Sequence, residues 1–550
     1  MTWVVLIIVA GVMLYLIFNL KDRSAQRVDF IHTTIPSKPS DSSLYQLIRE
    51  QVEKAPDQPV DYTLFPSVQS VSNEISLAPG LMDALVGGTD KTSKGWQVIR
   101  DAIKDINRGR IKDWQTVENA IKGITTSSQV DSLLHNLAVA DVSPAVKRIF
   151  WDLARNSHDY EGVKWGIAVG GIFLAREELR DLLLFARHGE FSLYTSHVLI
   201  RESERHPEFK QHLIALLPVC RQWAVIRVID YVVADKELIA DLGNQEKVLV
   251  FGMENNDGIP MEVAFTIAKF IDVPFFLDQA RDNRRVRTAV ILLFESLLTE
   301  PQPLGGIHDL NDGRNLFERY LSLVQTAAPD FEVLRALHGI ELFLKDEDRA
   351  WVDREQLLDK VKKIYDSILK PDILRAGLWE DRNRWLACKI IKEMELSDLL
   401  PDIVNCFKAK PDRAVMDAMG CIGAAEQLEM LLQQIPAIVD LGARENVPRS
   451  KINIHGAQGA ANMDYALIVR YLGRLGTPEA VRQIKTAAED YDPQVRSAAM
   501  AAIVDLPPDR VDDRLKRQIM DCLADSPPYL VEAAEKAAAR LGISNTNSAR

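Results

Sequence analysis

The chain has 550 residues, 47% apolar and 26% charged, a globular balance that excludes a wholly disordered polymer and leaves enough apolar surface for an extended core. Its net charge of −12 at pH 7 argues against nucleic acid or an anionic lipid surface as the main partner. The five cysteines are scattered and never in CxxC spacing, which provides no disulfide framework or zinc site and points to a reducing compartment.

In chain order, residues 3–20 form an uncharged apolar run with Trp3 and Tyr15 toward its ends. At 1.5 Å per residue such a helix spans about 27 Å, enough for a bilayer core, so one transmembrane helix is expected. Lys21, Arg23 and Arg27 follow it directly, and this positive flank places the bulk of the chain on the cytoplasmic side. Residues 21–43, rich in Ser, Thr and Pro, read as a tether. Residues 44–140 read as an irregular, partly helical region, with helices expected at 44–54, 96–106 and 117–124. Gly87, Gly88, Thr89, Asp90, Lys91 and Thr92 resemble a phosphate loop in composition but not in spacing.

A helical template then recurs. In its clearest copy Val495, Ala498, Ala499, Ala502, Ile503 and Leu506 fall at i, i+3, i+4, i+7, i+8 and i+11, behind a capping Asp492 and Pro493. Val286, Ala289, Val290, Leu293, Phe294 and Leu297 repeat it, and so do Leu530, Ala533, Ala534, Ala537, Ala538 and Leu541. Val163, Gly166, Ile167, Gly170, Gly171 and Leu174 also match all six positions, and partial copies begin at Val146, Val225, Val333 and Val415. The i+3 position carries Gly166, Ala289, Ala336, Ala418, Ala498 and Ala533, small residues that let a neighbouring helix approach. Gly166 and Gly170 form a GxxxG, read as tight helix packing within the array. One such hairpin cannot bury its own stripe, so the pattern implies an array.

The run at 490–499, Asp-x-Asp-Pro-x-Val-Arg-x-x-Ala, resembles the inner helix of a HEAT repeat. Val286-Arg287-Thr288-Ala289 closely matches Val495-Arg496-Ser497-Ala498, and Val163-Lys164-Trp165-Gly166 is a looser version. The resemblance implies an all-α fold, a right-handed α-α superhelix of armadillo-like HEAT repeats preceded by the transmembrane helix. It also implies a surface that binds protein partners. The expected organisation is an anchor at 1–20, a tether at 21–43 and the irregular region at 44–140. Divergent repeats follow at 141–345, further repeats at 346–440, a long loop insertion at 441–462, C-terminal repeats at 463–542 and a disordered tail at 543–550.

The insertion carries Arg444, Arg449, Lys451 and His455, a basic set suited to an acidic peptide or a phosphate group. It is the candidate partner-binding loop. His197, His206 and His212 with Glu202 and Glu204 are the densest His/carboxylate group, but their spacing does not place three ligands on one helical face. No HExxH, GxSxG or His-Glu dipeptide occurs, so no catalytic, metal or cofactor residues are assigned. The expected function is a membrane-tethered scaffold or adaptor for a protein partner. The alternative is an enzyme or regulatory subunit with a site in 56–140 or in 441–462.

Overall fold

The computed structural model describes residues 42–55, 60, 94–122, 142–220, 223–254, 260–299, 305–346, 351, 353–439, 457–525 and 527–543. Among them every regular element is helical and none is a strand. The fold is all-α, a train of packed helices compatible with a repeat solenoid.

The N-terminal helices are α1 (Leu44–Lys54), α2 (Lys94–Asn107), α3 (Trp114–Ile121), α4 (Pro144–Asn156), α5 (Tyr160–Gly170), α6 (Arg176–Phe185), α7 (Gly189–Ser203), α8 (Lys210–Leu216) and α9 (Trp223–Ala234). The middle of the chain supplies α10 (Lys236–Ala240), α11 (Leu242–Glu254), α12 (Pro260–Phe270), α13 (Val273–Gln279), α14 (Arg284–Leu298), α15 (Gly313–Thr326), α16 (Phe331–Lys345) and α17 (Arg354–Ile368). Then come α18 (Pro371–Trp379), α19 (Asp381–Glu393), α20 (Leu400–Ala409), α21 (Arg413–Ile422), α22 (Ala425–Ile438), α23 (Ala457–Tyr471), α24 (Pro478–Ala488), α25 (Pro493–Asp505), α26 (Asp513–Leu523) and α27 (Pro528–Leu541).

These helices sort into one continuous packed row with flanking helices beside it. The row runs α5, α7, α9, α12, α14 and α16, then α19, α21, α23, α25 and α27, each helix touching the next. The others, such as α18, α20, α24 and α26, pack against row helices. The template explains why. Val286, Ala289, Val290, Leu293, Phe294 and Leu297 are all buried, as are Val146, Ile149, Phe150, Leu153 and Ala154 on α4. Each stripe is covered on both sides by its neighbours, which is how a short helix loses its apolar face to a core.

Apolar packing falls into two clusters that meet at α16. Val333, Ala336, Leu337 and Ile340 belong to the N-terminal core, whereas Phe331 and Leu334 belong to the C-terminal one. The ring of Phe331 lies directly on Gly377 of α18, where even a Cβ would not fit. Between α16 and α19 polar contacts are added to this packing. The Asn383 amide donates to Glu332 Oε1 at 3.3 Å, the Asn383 carbonyl accepts from Arg335 at 3.2 Å, and Lys389 Nζ lies 3.4 Å from His338 Nε2.

Several expectations are corrected. The insertion is shorter than 441–462, because α23 begins at Ala457 and its first turns, built on Ala457, Ala460 and Ala461, take up residues 457–462. The helix expected to reach 124 ends at Ile121, with Lys122 as its C-cap. The stripe from Val163 is not one helix throughout, since α5 stops at Gly170 and Leu174 is buried beyond it. The small i+3 residue is buried at Gly166, Ala289, Ala336 and Ala418 but only partly at Ala498 and Ala533, where Ala499 and Ala534 are fully buried. Residues 3–20, the run 87–92 and the segment 441–456 lie outside the described residues. Among the described residues no helix is long and apolar enough to cross a membrane.

Candidate functional site

Successive row helices are tied by a repeated arrangement at their N-termini. Asp330, Asp412 and Asp492 are N-caps of α16, α21 and α25, because a short carboxylate in extended backbone can reach the free N–H groups of the first turn. In each, Oδ1 takes a backbone N–H: Val333 at 2.9 Å, Val415 at 3.0 Å and Gln494 at 2.8 Å. Oδ2 takes a side chain from the preceding row helix: Arg287 at 3.0 Å, Arg384 at 3.0 Å and Asn462 at 2.7 Å. One carboxylate therefore starts a helix and fixes its neighbour. Arg496 continues the series into Asp525 at 2.7 Å and also donates to the carbonyls of Asp490 and Tyr491. The sequence showed the shared Val-Arg wording but not its role. The signal was there, since a guanidinium in the first turn of a helix opposes the helix dipole and needs a partner elsewhere.

The row carries a second series of ion pairs between half-buried side chains. Arg335 grips Glu295 with two bonds, 2.7 and 3.1 Å, and Lys392 meets Asp417 at 2.5 Å. Asp417 also accepts from the Tyr471 hydroxyl at 2.5 Å, and Arg413 meets Asp464 at 2.7 Å. Arg382 on α19 and Asp230 on α9 are both exposed, and burial by the surrounding protein holds the Arg382 pKa below and the Asp230 pKa above its ordinary value.

On α19 Arg382, Trp385 and Lys389 fall at i, i+3 and i+7, a stripe that departs from this pattern of pairs. Trp385 is 51% exposed with Lys389 Nζ 5.3 Å from its ring centroid, and Leu342, one turn beyond His338, is also 51% exposed. Arg382, one turn before Trp385, makes no hydrogen bond or ion pair among the described residues. Sequence reading passed over this stripe, although the segment 377–389 holds Trp379, Arg382, Arg384 and Trp385 within thirteen residues.

The other candidates separate. Arg444, Arg449, Lys451 and His455 lie outside the described residues. His197, His206 and His212 are not gathered, since among the described residues no three His, Cys, Asp or Glu side chains could hold a metal. Glu202 is instead buried against Arg201 and Arg205. Two shallow clefts occur away from the stripe, one of about 390 Å³ at Leu400, Pro401, Val404 and Gln427 and one of about 180 Å³ at Lys147, Trp151 and Arg155. Neither gathers acids with histidines as a catalytic pocket would.

The sequence matches no protein-family model and no curated protein. A solved structure, described as the crystal structure of an engineered protein from the Northeast Structural Genomics Consortium, aligns over 78% of this chain and 99% of its own. The identity is 13% and the TM-score 0.25, too loose a likeness to bear on fold or function.

Proposed function

We propose that this chain is a membrane-tethered scaffold, a right-handed superhelix of HEAT-type repeats held at the bilayer by residues 3–20 and presenting its packed row to a protein partner on the cytoplasmic side. The observation that carries this reading is Trp385 on the α19 stripe, with Leu342 on the adjoining α16, two large apolar side chains half open to water on a row whose other charges are mostly paired. Half-exposed Trp is a costly feature for a surface that touches only water, and it is the residue type most enriched where interfaces draw their affinity. The apolar length of 3–20 and the cations after it support the tether and its orientation.

The test is affinity capture of the full chain from membranes, comparing wild type with a Trp385→Ala, Leu342→Ser double variant by quantitative mass spectrometry. The scaffold reading expects a protein retained by wild type and depleted in the variant. Capture of no specific protein, in repeated preparations of folded wild type, overturns it.

A further inference from the structure

The row is least closely packed between α16 and α19. Among the described residues, every other pair of consecutive row helices packs backbone against backbone, and the apolar core divides at the same place. Phe331 on Gly377 fixes the N-terminal end of α16 to α18. Two turns along α16, Lys389 Nζ of α19 lies 3.4 Å from His338 Nε2. An ammonium only donates, so Nε2 is the bare, accepting nitrogen of a neutral ring. The charges around that ring already balance. Glu341 and Lys345 of α16 pair at 2.7 Å, and Glu393 lies 3.9 Å from Lys389 on α19. Tyr365 of α17 feels the same two glutamates but stays protonated, its pKa raised to about 12 by burial first and then by those acids. On the other helices packed against α16, Glu295 of α14 is held by Arg335, Arg319 of α15 by Asp278, and Arg375 of α18 by Asp372 and Asp402. A proton on His338 therefore adds an uncompensated charge. Burial and then the Lys389 charge accordingly hold the His338 pKa below its ordinary 6.5, with Glu341 and Glu393 offsetting only part of that.

We propose that this junction is a pH-sensitive hinge, closed while the neutral His338 ring accepts from Lys389 and opened when a proton on Nε2 turns that acceptor into a donor and sets two cations face to face. Opening lets water reach the ring, which then titrates near its ordinary value. The open form therefore gains on the closed one as pH falls through about 6.5, by up to about tenfold between pH 7.5 and pH 5.5. The two halves splay about Phe331 and Gly377 while each keeps its own apolar core.

The experiment measures the spacing of the halves in the full chain by double electron–electron resonance, with spin labels on Lys360→Cys of α17 and Lys408→Cys of α20, both exposed positions. Cys421→Ser removes the one native cysteine that is not buried. A second labelled pair, Lys408→Cys with Glu426→Cys of α22, stays within the C-terminal half as control. Between pH 7.5 and pH 5.5 the junction pair should shift weight to a longer distance, the ratio of long to short rising by up to about tenfold, while the control pair holds. His338→Gln keeps an acceptor for Lys389 without titrating and should abolish the shift. Lys389→Gln keeps a donor but no charge and should reduce it. Equal distance distributions at the two pH values overturn the proposal. So does a shift that persists in His338→Gln, is undiminished in Lys389→Gln, or appears equally in the control pair. The hinge stands or falls on these distances whether or not a protein partner is captured.

Discussion

Arg496 is 5% exposed and has exchanged its water for Asp525 and two backbone carbonyls. Such a pair adds little over a well-packed apolar substitute, but removing one partner strands the others without hydration. Arg496→Met is therefore expected to cost about 3 kcal/mol, measured by chemical denaturation against wild type. His188 is a different kind of buried group. Its ring is fully enclosed, stacked on Phe191 at 4.8 Å, and burial followed by the Lys164 charge lowers its pKa to about 3. The unfolded chain takes up the proton near pH 6.5 and the native protein only near pH 3. The stability linked to this group is thus complete above about pH 6.5 and is lost as pH falls below it, at up to roughly 1.4 kcal/mol per unit. His188→Asn keeps an acceptor for the Glu190 N–H without titrating, so its stability should fall less steeply than wild type between about pH 6.5 and about pH 4.5. Thermal unfolding at a series of pH values checks this, and parallel slopes would refute it.

At the scale of helices, the contrast between two glycines tests the packing. A Cβ on Gly166 of α5 would sit 2.6 Å from the Ala154 nitrogen of α4, whereas one on Gly339 of α16 meets nothing within 4 Å. Gly166→Ala must push α4 and α5 apart, at an expected cost of about 2 kcal/mol, while Gly339→Ala should gain up to about 1 kcal/mol by removing backbone freedom from the unfolded chain. Paired thermal melts would show the opposite signs. The stripes of α4, α9, α14 and α16 were legible because Val, Ile, Leu and Phe alternate with polar residues at a helical period. In α25 the phase was not legible. Ala498, Ala499, Ala501 and Ala502 present the same methyl group on every side, so periodicity could not distinguish buried Ala499 from half-buried Ala498. The start of α23 was missed for a related reason, since Gly459 and Asn462 read as loop residues although Asn462 is 1% exposed and reaches back from the helix to Asp492. Pairings such as Arg287 with Asp330 depend on which helices stack, and one sequence does not encode that locally.

For the whole molecule, the division of the apolar core at α16 predicts unequal cooperativity. Asn383 is 1% exposed and joins Glu332, Glu380 and Arg335 across that division. Asn383→Ala should raise hydrogen exchange in α16 and α19 while α25 keeps wild-type protection, because each repeat leans mainly on its neighbours. Uniform loss of protection along the chain would count against a divided core. The proposed topology makes its own prediction: a reporter fused after Arg550 is active on the cytoplasmic side, and activity confined to the exported compartment overturns it. The capping aspartates bear on how such an array changes over generations. Because Asp330, Asp412 and Asp492 each serve two adjoining helices, duplicating or deleting one unit keeps every junction intact only if the cut respects that shared carboxylate. The heritable module is therefore offset from the visible hairpin, running from one aspartate to the next, and a cut elsewhere at these junctions leaves an unmatched arginine or asparagine at the splice.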